Sequence, residues 1–163
     1  EGCKVVFADL NGAQAEEPAA EGRAQGGEAA SVAVDGSERT QVKAMVAKAV
    51  EKFGGIDILF NNAGVNHQER FLEATEENWN RIMKINALSV LICTQEVAKQ
   101  MIAQGRGGKS ITTISLAGRQ GSRPGGGSTS GAAASTYTKP PSTTSRDASA
   151  AAGATSADDC APD

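Results

Sequence analysis

Gly55-Ile56-Asp57-Ile58-Leu59-Phe60-Asn61-Asn62-Ala63-Gly64 is the stretch on which the reading of the chain turns. Ile56 to Phe60 is a short, mostly apolar run bounded by glycine on one side and by amides, alanine and glycine on the other. Such a run predicts a strand, the third in the chain. The tetrapeptide at its carboxyl end has specific physical uses. Two side-chain amides can tie neighbouring strands together, and Ala63 and Gly64 leave room for a flat ring to approach the backbone.

Working back from this strand, the preceding helix is the clearest in the chain. Val42, Met45, Val46, Val50 and Phe53 recur at spacings of three and four, which puts them on one face. Lys43, Lys48, Glu51 and Lys52 fall mostly outside it. Gly54-Gly55 stops the helix, and Ser37 is placed to cap its start. Earlier still, Ala30 to Val34 predicts a strand ending at Asp35-Gly36. Ala13 to Gly26 has helical composition, weakened by Pro18 and Gly22. Lys4 to Ala8 predicts a buried parallel strand running into the turn Asp9-Leu10-Asn11-Gly12.

Working forward, Thr75 caps a long helix whose first turn holds Glu76 and Glu77, where carboxylates suit the helix dipole. Trp79, Ile82, Met83, Val90, Val97 and Met101 mark its expected buried side, and Gly105, Gly107 and Gly108 end it. Ser110 to Ile114 is β-branched and predicts a fourth strand leading into Ser115-Leu116-Ala117-Gly118. Strands alternating with helices through short turns imply an α/β fold with a parallel sheet. Right-handed crossovers bring all the strand ends to one edge, where ligands bind. Asp9, Asp35, Asn62 and Ser115 all lie at or just past such ends.

Each of these has two readings. Asp9 can accept hydrogen bonds from ribose hydroxyls, or it can be a turn or cap residue. Asp35 can lie beside an adenine ring, or simply form the turn before Gly36. Ser115 can polarise a carbonyl, or end a strand in a turn.

Together these positions resemble the short-chain dehydrogenase/reductase family. Asp9, Asp35, Asn61-Asn62-Ala63-Gly64, Asn86 within Lys84-Ile85-Asn86-Ala87, and Ser115 within Ile114-Ser115-Leu116-Ala117-Gly118 occur in that family's order. Ala74 to Trp79 is similar to the start of its long interface helix. The resemblance implies an NAD(P)-dependent oxidoreductase acting on a secondary alcohol or carbonyl. It implies that Asn62, Ala63 and Gly64 contact the cofactor, with Asp9 and Asp35 on its adenosine half. Asp9 would repel a 2′-phosphate, so NAD is expected over NADP. Asn86 matches the helix asparagine whose backbone opens to hold a water in a proton relay. Ser115 matches the serine that hydrogen-bonds the substrate carbonyl. Family members usually pair through the long helix, so a homo-oligomer is among the implied partners. His67 could line the substrate pocket or be a solvent-exposed loop residue.

Two family features are missing from the pattern. The family's first unit is a strand, a Gly-rich turn and a helix within a βαβ unit of roughly 30 residues, whose backbone N–H groups hold a pyrophosphate. This sequence begins at what would be the second strand. The expected fold is therefore a partial Rossmann-like, doubly wound parallel sheet lacking its first strand. Because that strand is central in the order 3-2-1-4-5-6, its two neighbours must either close up directly or leave edges exposed. The family's Tyr and Lys stand four apart on one helix face. Here Tyr137-Thr138-Lys139 puts them two apart and Pro140-Pro141 follows, which argues against a working pair.

Composition marks a break. The chain has 163 residues, 39% hydrophobic and 21% charged, and a net charge of −3. That balance points to a globular protein and gives no reason to expect nucleic acid or an anionic membrane as a partner. Leu116 is the last Leu, Ile, Val, Met or Phe. Residues 1–121 are expected to form the partial dinucleotide-binding domain and 122–163 a low-complexity tail, expected to be disordered. A reading-frame change in a GC-rich gene would produce such a switch, which resequencing would test. The widely spaced Cys3, Cys93 and Cys160 show no metal-ligand spacing, so no metal site and a cytoplasmic location are expected. Neither a signal sequence nor a membrane span is visible. The alternatives to an enzyme are a non-catalytic dinucleotide-binding or scaffold remnant, and a truncated or frameshifted product, that is, a fragment without function.

Overall fold

The structure, a computed structural model, describes residues 2–67 and 69–115. The expected tail at 122–163, with Tyr137 and Lys139, lies outside the described residues. Strand β1 spans Lys4–Asp9, helix α1 Gly12–Ala24, β2 Glu28–Ala33, α2 Arg39–Phe53 and β3 Ile58–Asn61. A short 3-10 turn, Phe71–Glu73, precedes α3 at Glu76–Met83, a π-helical segment at Lys84–Leu88, α4 at Ser89–Ala103 and β4 at Lys109–Thr112. The element order is the one the sequence predicts, with ends shifted by a few residues.

Among the described residues all strand pairing is parallel. β1 pairs with β2 from Lys4↔Glu28 to Asp9↔Ala33, and β3 pairs with β4 from Ile58↔Lys109 to Asn61↔Thr112. The two pairs are separate two-stranded sheets, with no pairing between β1 and β3. β1 and β3 do not close up directly; among the described residues each keeps one edge without a strand partner.

Alternation along β2 shows where the helices lie. Ala29, Ser31 and Ala33 face α1: Gly22 and Gly12 approach Ala29 and Ala33 closely, and the Ser31 hydroxyl bonds to Glu16. Val32 and Val34 point the other way, into a core built from Val42, Met45 and Val46 of α2 and Ile92, Val97 and Met101 of α4. Ile56 and Leu59 pack against that same core. One α2/α4 layer therefore supports both half-sheets. With right-handed crossovers, opposite helix faces turn the chain in opposite directions. The strand order is then β2, β1, a gap, β3, β4.

Several local expectations change. Ser37 does not cap α2; Glu38 holds that position, and the Ser37 N–H and hydroxyl both donate to Asp35 instead. The α1 helix runs through Pro18, with Asn11 accepting from the Ala13 N–H at its start. The expected single long helix is broken by the π segment. Trp79 is 57% exposed and Met83 is exposed as well, while Ile82 beside them is buried. Strand β1 is half-exposed rather than buried, its inner edge having no strand partner among the described residues. Among the described residues, no helix is long and apolar enough to cross a membrane.

Candidate functional site

The ends of β3 and β4 and the start of α4 enclose a cleft of about 270 Å³. It is lined by residues 61–66, Asn86, Val90 and residues 113–115. Three crossings of the chain meet here because β3 and β4 are paired in register and the π segment folds over their ends.

Each amide of the Asn61-Asn62 pair has a distinct structural task. Asn61 turns inward, and its Nδ2 donates to Thr94 Oγ1 at 3.2 Å, with Ser110 Oγ and Thr112 Oγ1 each at 3.5 Å. It joins β3, β4 and α4 through one side chain. Asn62 accepts from the Thr113 hydroxyl at 2.8 Å, which fixes the loop after β3 against the loop after β4. Ala63 and Gly64 present little side chain. A Cβ on Gly64 would sit 3.4 Å from Asn86 Oδ1, within the cleft itself.

Asn86 imitates a strand neighbour. Its Nδ2 donates to the Val65 carbonyl and its Oδ1 accepts from the Val65 N–H, both at 2.8 Å. The half-buried amide thus pairs on both sides with the backbone of the loop after Gly64. The π segment around Asn86 loosens the regular ladder of helix bonds, a feature that recurs at functional sites. Ser89 closes the next turn by donating to the Ile85 carbonyl.

The two acids lie on the other half-sheet, outside the lining of this cleft. Asp9 ends β1 and accepts from the Asn11 N–H at 2.8 Å. Asp35 accepts from the Ser37 N–H at 2.8 Å and from its hydroxyl at 2.6 Å. These bonds, the hydroxyl's first, hold the Asp35 carboxyl below its ordinary value, and Lys84 adds a smaller attraction. Lys84 itself pairs with Glu38 at 3.0 Å. His67, half-buried, faces Glu69 at 3.5 Å, and Glu69 also accepts from Asn78 Nδ2. Among the described residues no group of His, Cys, Asp and Glu is placed to hold a metal ion.

Asn62, Ala63, Gly64, Asn86 and Ser115 are therefore brought together, while Asp9 and Asp35 stand apart from them. Sequence reasoning missed Thr113, Thr94 and Val65. The first could have been sought by aligning the two strand ends, since Thr113 directly follows the Asn61↔Thr112 pair. A nicotinamide dinucleotide fits these residues in part. The cleft falls at the lower limit of small-molecule pockets, roughly 300–1,000 Å³, and suits one ring rather than a whole dinucleotide. Among the described residues, no Gly-rich turn joins a strand to a helix to receive a pyrophosphate.

The sequence pattern of the short chain dehydrogenase family matches residues 1–139. The chain is 40% identical over 121 residues to a sorbitol dehydrogenase of Cereibacter sphaeroides, covering 74% of this chain and 46% of that protein. It is 39% identical over 120 residues to a 2-dehydro-3-deoxy-D-gluconate 5-dehydrogenase of Dickeya dadantii, covering 74% and 47%. A short-chain dehydrogenase/reductase from Mycobacterium marinum superposes with a TM-score of 0.71 at 31% identity, covering 74% of this chain and 49% of that one. A 7α-hydroxysteroid dehydrogenase crystallised with NADH superposes at 0.67 and 29% identity, covering 73% and 46%. The chain belongs to the short-chain dehydrogenase/reductase family, and its fold is the family's Rossmann-like one. It spans about half the length of the curated relatives it matches.

Proposed function

We propose that this chain carries the ring-binding and carbonyl-orienting part of an NAD-dependent oxidoreductase acting on a secondary alcohol or its carbonyl. The observation that carries the reading is the meeting of Asn62, Ala63, Gly64, Asn86 and Ser115 around one cleft. Small residues at 63 and 64 admit a flat ring beside the backbone. When bound, the nicotinamide supplies or takes up the hydride. The Ser115 hydroxyl donates to the carbonyl oxygen and stabilises the charge that develops there. Asn86 holds the loop after Gly64 in place, and the π segment frees backbone groups that can hold a water. Asp9 and Asp35 receive the adenosine half, and the Asp9 carboxylate disfavours a 2′-phosphate, so NAD is preferred over NADP. Its small-molecule substrates belong with the polyols and sugar acids named in the relatives. A cytoplasmic homo-oligomer fits the composition and the exposed apolar residues Leu91 and Ile102 on α4.

A second reading has its own support. Tyr137 and Lys139 stand two apart, a spacing that does not put them on one helix face. The chain as it stands is then catalytically impaired, a dinucleotide-binding or scaffold remnant. Titrating the full chain with NADH and NADPH, followed by cofactor fluorescence, separates the readings. Saturable NADH binding that weakens in Asp9→Asn supports the site. Binding without turnover of hexitols selects the remnant. Absence of binding to either nucleotide removes the enzyme and the dinucleotide-binding remnant alike, and turnover that survives Ser115→Ala removes the role given to Ser115.

A further inference from the structure

The loop that follows β3 is held at both of its ends. At the far end, Asn86 pairs with the N–H and the carbonyl of Val65, each at 2.8 Å. At the near end, the Thr113 hydroxyl donates to Asn62 Oδ1 at 2.8 Å. Ala63 and Gly64 lie between these two fixed points and line the cleft with them. Small residues admit a flat ring there, but a glycine also leaves the backbone more freedom. The wall on which a ring would rest is therefore only as well placed as its two ends.

The near end has a second connection. The pairing of β3 with β4 runs from Ile58↔Lys109 to Asn61↔Thr112. One backbone bond follows it, from the Thr113 N–H to the Asn61 carbonyl at 3.0 Å. The hydroxyl of the same residue then carries the join on to the Asn62 side chain. Thr113 thus grips both amide residues of the motif, one through its backbone and one through its side chain. Ser115 stands two residues further on and lines the same cleft. Two residues span at most about 7 Å, so the placement of Thr113 also constrains that of Ser115.

We infer that Thr113 is a positioning residue: its hydroxyl holds the wall formed by residues 62–64 at the separation from Ser115 that hydride transfer to a carbonyl carbon requires. The inference rests on the dehydrogenase reading given above and deepens it. Thr113 acts through Asn62 on one side and through the chain to Ser115 on the other. Placement of this kind matters because a displacement of about 1 Å between reacting groups can cost about a hundredfold in rate. The role belongs to the hydroxyl, and two substitutions isolate it. Valine keeps the shape and the β-branching but cannot donate. Serine keeps the donor and loses the methyl group. Thr113 is exposed, so both variants should fold.

The test uses the purified full chain, Thr113→Val and Thr113→Ser. Without nucleotide, amide exchange at Ala63 and Gly64 should rise about fivefold in Thr113→Val, as expected for the loss of one modest hydrogen bond. Exchange at Asn11 and Ser37, in the turns of the other half-sheet, should not change. NADH titration followed by cofactor fluorescence should give an affinity about fivefold weaker in Thr113→Val. Thr113→Ser should match the unchanged chain in both measurements. Equal NADH affinity in Thr113→Val overturns the inference even where exchange rises, because the bond then serves the loop and not the site. A loss in Thr113→Ser as large as that in Thr113→Val also overturns it, since the effect would belong to the methyl group. Both of these results leave the proposed function standing. Failure of the unchanged chain to bind NADH removes that function and the inference together.

Discussion

The two half-sheets sit on one helix layer but are finished by different means. In the β3–β4 half, residues far apart in sequence lock the carboxyl end: Asn61 to Thr94, Asn62 to Thr113, Asn86 to Val65. In the β1–β2 half, polar groups at the same end are satisfied locally. Asp9 binds Asn11 and Asp35 binds Ser37, each two residues away. The half with long-range locks builds a cleft; the half with local turns presents acids on a surface. A site whose shape depends on several elements is fragile to single changes, while a turn carboxylate can be altered with little effect beyond its own loop.

The largest effect is expected where the halves are joined. Met101 is buried in the shared core, and Met101→Ala should cost about 2–5 kcal/mol. Urea unfolding followed by tryptophan fluorescence and by circular dichroism should shift together, since both halves rest on this layer. Separate transitions would break the picture of one support. Asn86→Ala should come next. It leaves the Val65 N–H and carbonyl without their partner, at a cost of about 2 kcal/mol. Amide exchange should rise around residues 61–66 while the Asp9 and Asp35 turns stay unchanged. An equal rise in both halves would remove the contrast between them.

The same contrast explains what could be read in the sequence. Helix α2 was legible because Val42, Met45 and Val46 all face one core, and periodicity records that directly. The Asn61 to Gly64 motif was legible as a tetrapeptide, but its bonds were not. The Asn62–Thr113 bond follows from the register of two strands some fifty residues apart (|i−j| = 51), which no local pattern carries. The π segment has no composition of its own; it coincides with the Asn86–Val65 pairing, a tertiary contact. Trp79 and Met83 followed a helical stripe that proved correct for Ile82. It failed for them because burial depends on what lies opposite. The acids were placed at strand ends correctly, yet their local partners were only guessed as turns.

Between α2 and α4 the join also has an electrostatic part. Glu96 is 6% exposed and accepts from Lys99 at 2.8 Å and from Arg39. The Lys99 bond, with Arg39 adding to it and burial opposing, holds its carboxyl below the ordinary value of 4.5. A lowered folded value means that stability is present above the unfolded value and is lost as pH falls through the folded one. The acid limb of unfolding below pH 4.5 should therefore flatten in Glu96→Gln, while neutral-pH stability drops. An unchanged acid limb would assign the join to apolar packing alone.

The smallest effect is a rate, and it reports on the seam itself. Cys93 on α4 approaches the Gly36 carbonyl at 3.9 Å, and a Cβ on Gly36 would meet Ser89 at 3.2 Å. The loop leading into α2 therefore lies directly on α4, where one half meets the other. Burial pushes the Cys93 thiol up to about 11, so at neutral pH about one part in ten thousand is thiolate. Cys3 is exposed and should be alkylated first. In a background carrying Cys3→Ser and Cys160→Ser, iodoacetamide should modify Cys93 slowly and gain speed as pH rises toward 11. Asn86→Ala should leave that rate unchanged if its effect stays within the β3–β4 half. Faster labelling in that variant would mean that the lock at Val65 also holds the seam, and the two halves would then be coupled through the site as well as through the core.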